Sequence, residues 1–239
     1  MKSDFDAFIS DLRATHGKNL ASVILYGSAA AGDFVAEASD YNVLVALNKI
    51  GPADLRNAHP CIREWVRMGH PVPVYFTVSE LANAADVFPI EFSAMESARK
   101  VLYGSDVLAD LKFSDENLRH QTEYELRSKL IGLRRAYIPA SGSAQALSRL
   151  MAGSLPSFVT LFRAALILFD IEASTKKREV VALAAQHFGI DGTPFEKILN
   201  IRKNNFTEEL DEIAANKLFG EYLEQIEKVI DAVDAAGEK

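Results

Sequence analysis

Two short polar segments, each beside an apolar run, carry the residue types that phosphate and metal chemistry requires. An apolar run ends at Gly27-Ser28, and the segment Asp40-Tyr41-Asn42, twelve positions after Ser28, opens a second apolar run. A small-residue turn after a strand can present backbone N–H groups to a phosphate, and an aspartate supplies the hard oxygen that Mg²⁺ prefers. Asp40 and Asn42 are two positions apart, so on a strand both side chains point to the same face. These residues predict a phosphate cradle beside a metal ligand.

The surrounding sequence predicts the elements that must position these segments. Apolar residues at helical spacing predict an amphipathic helix over residues 3–16, and the two apolar runs predict strands over 20–26 and 42–48. Prolines at the start of the run 71–78 predict a third strand that begins at an edge or a bulge. Residues 87–97 are interpreted as a fourth short strand.

The hydrophobic pattern changes near residue 110. From Ser114 onward the apolar residues recur almost wholly at helical spacing, and Thr193-Pro194-Phe195-Glu196 has the cap, proline and glutamate of a helix start. The sequence therefore predicts an α/β (α+β) domain with a small mixed sheet over residues 1–110. An all-α helical bundle is predicted over residues 111–239.

A second copy of the first motif occurs further along the chain. Leu25-Tyr26-Gly27-Ser28 recurs as residues 102–105, and Asn117 ends an echo of the later segment. The residues after Asn117 are polar and helical in period, whereas a buried strand follows Asn42. We therefore interpret Ser114 and the acids after it as the start of a helix and not as a second phosphate site.

The layout of the first motif resembles the signature of the DNA polymerase β-like nucleotidyltransferases, a Gly-Ser turn followed by Asp-x-Asp. The resemblance implies that Gly27 and Ser28 hold the triphosphate of a nucleoside triphosphate and that Asp40 binds Mg²⁺. It also implies a helical C-terminal domain, as in the antibiotic and small-molecule nucleotidyltransferases, in which the acceptor lies between the two domains. The chain as a whole resembles bacterial nucleotidyltransferase-domain proteins.

The chain departs from that signature in its acids. Asn42 lies where the second acid belongs, and its side chain offers only a neutral oxygen. The third acid of the family lies on a later strand, but the run 71–78 contains no Asp or Glu. Glu80, Asp86 and Glu91 follow it, and the sequence does not assign any of them to the required face. Glu91, flanked by apolar side chains, is consistent with a perturbed acid that faces the cleft, but the favoured interpretation is an exposed strand glutamate.

Composition limits the classes of partner. The chain has 239 residues with a net charge of −7, which argues against broad binding to nucleic acid. One cysteine and five histidines without paired spacing argue against a disulfide framework and against zinc. The most apolar stretch, residues 158–169, is too short to span a bilayer and predicts a buried helix. A cytoplasmic protein without a membrane partner is expected, and the oligomeric state, a homo-oligomer included, stays open.

Two functions remain open from the sequence. The first is a Mg²⁺-dependent transferase that moves a nucleoside monophosphate from a triphosphate to a hydroxyl of a small molecule or protein, with Asp40 and Asn42 as catalytic residues. The second is a catalytically impaired nucleotide-binding or regulatory module. A basic run at the start of the helical half either contacts the triphosphate or forms a solvated helix surface. Its members are Arg127, Lys129, Arg134, Arg135 and Arg149.

Overall fold

The computed structural model describes residues 2–27, 29–30, 41–112, 114–172, 176–203 and 210–236. The chain divides into two compact units, Met1–Ser114 and Asp115–Lys239.

A small mixed sheet forms the centre of the first unit. Its described elements are α1 (Lys2–His16), β1 (Leu20–Tyr26), β2 (Asn42–Leu47), α2 (Pro52–Arg67), β3 (Val74–Thr77), α3 (Val78–Asn83), α4 (Pro89–Ser97) and β4 (Arg99–Gly104). Within the described residues the strand order is β3-β2-β1-β4. Strand β1 is antiparallel to both β2 and β4, and β2 is parallel to β3. The predicted mixed sheet and the edge position of the third strand are confirmed.

Helices cover both faces of this sheet, because alternate residues of the central strands point to opposite sides. Val23 and Val43 face α1 and α2, where Trp65 is the largest buried side chain of the cluster. Ile24 and Leu44 face the other way and pack with Phe92 of α4. The near-continuous apolar runs of β1 and β2 are thus explained by burial on both faces.

The prediction of a strand over residues 87–97 is wrong. Residues Pro89–Ser97 form helix α4, with the proline in its first turn, and the fourth strand begins only at Arg99. Proline fixes φ near the helical value. It also lacks an N–H, which costs nothing in the first turn of a helix because N–H groups there have no partner within the helix. Phe92 and Met95, three positions apart, are buried on one side of the helix. The apolar residues around Glu91 were too few for alternation to be told from helical spacing.

The second Leu-Tyr-Gly-Ser copy has a structural role. Gly104 ends β4 opposite Ser22 with a φ of +77°, and a Cβ at this position would overlap the carbonyl oxygen of Ala21. The hydroxyl of Ser22 donates to the carbonyl oxygens of Tyr103, at 3.2 Å, and Ser105, at 2.6 Å. Helix α5 begins at Asp115, directly after Ser114, so the interpretation of this segment as the start of a helix is confirmed.

The second unit is helical throughout its described residues. Its helices are α5 (Asp115–Ala140), α6 (Ala144–Leu168), α7 (Lys177–Phe188), α8 (Thr193–Lys203) and α9 (Glu212–Ala235). Phe158 and Phe162 of α6 make edge contacts with Tyr222 and Phe195, which places α6 in the core of the unit. Among the described residues, α6 alone is long and apolar enough to cross a bilayer, but 56% of its most apolar window is buried inside the protein. The prediction of a buried helix is therefore confirmed.

A buried histidine makes the stability of the first unit sensitive to pH. The side chain of His16 is 8% exposed, its Nε2 has no hydrogen-bond partner among the described residues, and its ring lies edge-on to Tyr75. Burial lowers the pKa of His16, and the nearby charge of Asp54 offsets this only in part. The unfolded chain therefore takes up a proton on this residue at a higher pH than the folded chain does.

We expect the free energy of unfolding to fall as the pH drops below about 6.5, the ordinary histidine pKa, and to level off below the folded pKa. Because His16 takes up a single proton on unfolding, its contribution lowers the free energy of unfolding by at most about 1.4 kcal/mol for each pH unit. Urea titrations at pH 7.5 and 5.5 measure it. His16→Gln should remove this part of the pH dependence, and the exposed His59→Gln should leave it unchanged. Equal slopes for the wild type and His16→Gln would contradict the assignment.

Candidate functional site

The turn after β1 depends on the glycine at its start. Gly27 has a φ of +78°, a value that side chains with a Cβ rarely adopt. Its N–H donates to the carbonyl oxygen of Ala98 at 3.0 Å, and its own carbonyl oxygen accepts from the N–H of Ala30 at 2.9 Å. These bonds hold the chain in a tight reversal immediately after Tyr26.

The structure brings Gly27 and Asn42 together. Asn42, the first residue of β2, lies opposite Tyr26, the last residue of β1. A Cβ built on Gly27 would lie 3.5 Å from Nδ2 of Asn42, so the side chain of Asn42 extends toward the glycine turn. By strand alternation Asn42 faces the same side of the sheet as Leu44 and α4.

Two of the predicted site residues, Ser28 and Asp40, lie outside the described residues. The residue between Asp40 and Asn42 is nevertheless anchored. Tyr41 is 9% exposed and packs edge-on against Phe5 and His70, with ring centroids 4.8 and 4.7 Å apart. This packing holds Tyr41 on the side of α1 and α2 and therefore keeps Asn42 on the opposite side.

Of the three candidate third acids, Glu91 is the one whose charge acts on Tyr26, the last residue of β1. It is in the first turn of α4, the helix that packs on the face of Asn42. Burial raises the pKa of the Tyr26 hydroxyl, and the negative charge of Glu91 raises it further. Glu91 is therefore near the end of β1, and its side chain is exposed to solvent.

The other two candidates have different surroundings. Glu80 caps α3: its carboxylate accepts from the N–H of Thr77 at 2.7 Å, and this bond lowers its pKa. Asp86 is exposed in the connection between α3 and α4. Glu80 thus has a structural function, and Glu91 is the acid that the fold brings to the face of Asn42.

Sequence reasoning missed two neighbours of the site. Tyr26 lies between Asn42 and Arg99 in the register of the sheet. The Nε of Arg99 donates to Oδ2 of Asp106 at 2.9 Å, which holds this cation beside the end of β1. Tyr26 and Arg99 are brought together by the pairing of two strands that lie more than fifty residues apart in the sequence, so the sequence did not reveal this contact. The position of Tyr26 directly before Gly27 was the one feature of the sequence that could have marked it as a neighbour of the site.

No group of three His, Cys, Asp or Glu side chains in the described part of the chain could hold a metal ion. Asp40 lies outside that part of the chain. The described oxygen donors on this face, the Asn42 amide and the Glu91 carboxylate, are of the hard type that Mg²⁺ takes.

Most of the basic run at the start of the helical unit is engaged in ion pairs within that unit. Arg127 bonds Glu123 at 2.8 Å and Asp234 at 3.1 Å, and Arg134 pairs with Glu227. Lys129 lies 3.7 Å from Glu125. Arg135 and Arg149 are exposed. For the three paired cations, these contacts favour the interpretation as a solvated helix surface.

Comparison with known proteins supports the fold. A structural comparison finds similarity to the spectinomycin adenyltransferase AAD(9) from Enterococcus faecialis, crystallised with ATP and spectinomycin. The TM-score is 0.59 at 13% identity, over 94% of this chain and 99% of that chain. No protein-family model matches the sequence, and no curated protein does. The chain therefore shares the fold of that adenyltransferase, and in this chain that fold consists of a small mixed sheet covered by helices and a following helical unit.

Proposed function

We propose that the protein is a nucleotidyltransferase that moves the nucleoside monophosphate of a triphosphate such as ATP to a hydroxyl of a small molecule. The observation that carries the proposal is the convergence of Gly27 and Asn42 at adjacent ends of β1 and β2. Support also comes from the similar fold of an adenyltransferase crystallised with ATP and a small molecule. A reaction that consumes a nucleoside triphosphate fits a cytoplasmic protein.

The glycine turn would bind the triphosphate. A residue with positive φ before a turn exposes successive backbone N–H groups, which bind anionic oxygens. Because Gly27 has no side chain, a phosphate would approach its backbone on the side of the Asn42 amide. Ser28 would add its hydroxyl as a donor, and Nδ2 of Asn42 would donate to a phosphate oxygen.

Asp40 would hold the Mg²⁺ that accompanies the nucleotide. The Asp40 carboxylate and the amide oxygen of Asn42 would fit one ion whose remaining ligands are triphosphate oxygens and water. When bound, the ion neutralises charge on the triphosphate. With Asn42 in place of an acid, the chain lacks one of the charges that a second ion would require.

Glu91 would serve as the general base. In the reaction the acceptor oxygen forms a bond to the α-phosphorus, the bond from that phosphorus to the bridging oxygen breaks, and pyrophosphate leaves. The proton of the acceptor hydroxyl passes to the Glu91 carboxylate. Glu91 is suited to this role because it lies on the face of Asn42 and is exposed to an incoming acceptor.

A second candidate function is a nucleotide-binding module without transfer activity. Asn42 is the observation that favours it, since a neutral side chain beside a divalent ion forfeits a Coulomb attraction of roughly 8 kcal/mol at a separation of about 4 Å near a protein surface, twice the value for two unit charges. Such a protein would bind the nucleotide through the turn and release it unchanged.

Calorimetric titration of the full chain with ATP, with and without Mg²⁺, tests both functions. Release of pyrophosphate from ATP is measured in parallel with a panel of hydroxyl-bearing acceptors, aminocyclitols included. Mg²⁺-dependent binding with acceptor-dependent pyrophosphate release supports the transferase. Binding without release under any acceptor supports the module, and a chain that does not bind ATP contradicts both.

We expect Glu91→Gln to lower the rate of pyrophosphate release by about 100-fold or more, because general-base catalysis contributes roughly that factor. ATP affinity should change little, since glutamine keeps the size and the oxygen of the side chain. Asp86→Asn is the matched control, an exposed acid five positions earlier whose loss should leave the rate unchanged. Equal rates for Glu91→Gln and the wild type would remove Glu91 from the mechanism.

A further inference from the structure

A second polar groove lies in the first unit, at the end of the sheet away from Gly27. It has a volume of about 750 Å³ and is lined by side chains of α1, of the segment after it and of β4. Leu20 begins β1 at this groove, whereas Gly27 follows the last residue of β1. A strand rises about 3.3 Å per residue, so roughly 20 Å separate the two ends. The groove is therefore distinct from the candidate site at Gly27.

The charges of this groove are positive in a chain whose net charge is −7. Arg13 and Lys18 line it, and none of the other described residues that line it carries a carboxylate. In the described part of the chain neither cation has an ion pair; Arg13 instead lies over the ring of Tyr103, with its guanidinium carbon 5.2 Å from the ring centroid. Asp11, the acid nearest in sequence, acts on Cys61 of α2 and so faces another part of the unit.

The backbone around the groove does not cancel this charge. The last turn of α1 ends here, and a helix C-terminus contributes about half a negative charge. Two full positive charges exceed it. The buried His16 adds no charge near neutral pH, because burial lowers its pKa. The groove is therefore a positively charged recess, with a hydroxyl from Ser10 and an aromatic wall from Tyr103.

We propose that this groove binds a phosphate-bearing small molecule of nucleotide size. A guanidinium binds two phosphate oxygens through parallel hydrogen bonds, and a lysine ammonium adds a point charge. The hydroxyl of Ser10 is a third hydrogen-bond donor, and no described acidic side chain lines the groove to pair with these donors in place of a phosphate. Arg13 stacked on Tyr103 offers a flat surface on which a planar base packs. The volume lies within the range of small-molecule sites, which is about 300–1,000 Å³.

Titrations of the full chain with AMP, with inorganic pyrophosphate and with adenosine test the proposal, by calorimetry in buffer that contains EDTA. EDTA and the Asp40→Ala background remove Mg²⁺-dependent binding at the Gly27 site, and substitutions in the groove then assign the binding that remains. We expect saturable binding of AMP or pyrophosphate that weakens at least tenfold in the double variant Arg13→Gln, Lys18→Gln. Tighter binding of AMP than of pyrophosphate would identify a contribution of the base, and equal binding would identify recognition of phosphate alone.

The matched control is the double variant Lys49→Gln, Arg56→Gln, which removes two exposed cations of the same unit outside the groove. It should bind as the wild type does. Thermal unfolding verifies that all variants are folded, and Lys18→Gln alone, on an exposed residue, provides a milder test with a smaller loss of affinity. The proposal is overturned by a wild type that binds neither anion, by adenosine binding as well as AMP, or by an equal loss in the control.

Discussion

Replacing Gly104 by alanine is expected to lower the free energy of unfolding of the first unit by about 2–5 kcal/mol. A left-handed φ costs a residue with a Cβ about 1–2 kcal/mol, and forcing an extra carbon into packed backbone costs about 1–3 kcal/mol more. The new Cβ would overlap the carbonyl oxygen of Ala21 and lie 3.1 Å from the Cα of Ser22, both backbone atoms of the central strand. Thermal unfolding followed by calorimetry should show a drop on the order of 10–20 °C.

Gly27→Ala is the matched control, because both glycines follow the dipeptide Leu-Tyr and have nearly the same φ, +78° at Gly27 and +77° at Gly104. At Gly27 the nearest atom to a Cβ is the flexible amide of Asn42 at 3.5 Å, an ordinary contact. We expect this variant to lose only the conformational penalty of about 1–2 kcal/mol, and to lose ATP affinity because the methyl group occupies the space proposed for phosphate. A loss of stability equal to that of Gly104→Ala would contradict this distinction.

Asp40→Ala is expected to abolish Mg²⁺-dependent affinity for ATP, with a loss of about 100-fold or more, and with it nucleotidyl transfer. Removal of a unit charge beside a divalent ion costs several kcal/mol in a partly dry site, and each 1.4 kcal/mol is about tenfold in affinity. The melting temperature should stay nearly unchanged, since the buried Tyr41, the next residue along the chain, anchors this segment in the core and is kept in the variant. Titration with ATP and Mg²⁺, beside a thermal scan, measures both quantities.

Asn42→Asp should act in the opposite direction. The added carboxylate lies beside Gly27 and on the face of Glu91, where it would restore the charge that the Asp-x-Asp signature supplies, so Mg²⁺-dependent affinity should rise. Asp86→Ala, the loss of an exposed acid elsewhere in the unit, should alter neither affinity nor melting temperature. A large drop in melting temperature for Asp40→Ala would instead identify Asp40 as a structural residue.

The local elements of the first unit followed from the sequence where a pattern was long or chemically marked. Strand β1 matches its predicted range 20–26, and β2 ends one residue before the predicted 42–48. Burial on both faces selects long apolar runs, which are easy to recognise. The prediction of a strand at residues 87–97 was wrong, because this apolar segment is too short to tell strand alternation from helical spacing. Pro89, which lies in the first turn of α4, was the feature that indicated a helix.

The sequence by itself determined the glycine turn, the two central strands and the start of the helical half, because apolar periodicity and turn chemistry act between near neighbours. Only the tertiary structure decided that Glu91 lies on the face of Asn42 and that Glu80 caps a helix. Only it showed why the second Leu-Tyr-Gly-Ser copy requires its glycine, since Gly104 approaches the backbone of Ala21 closely. These outcomes depend on which strands pair and on which helix covers each face, and long-range packing sets both.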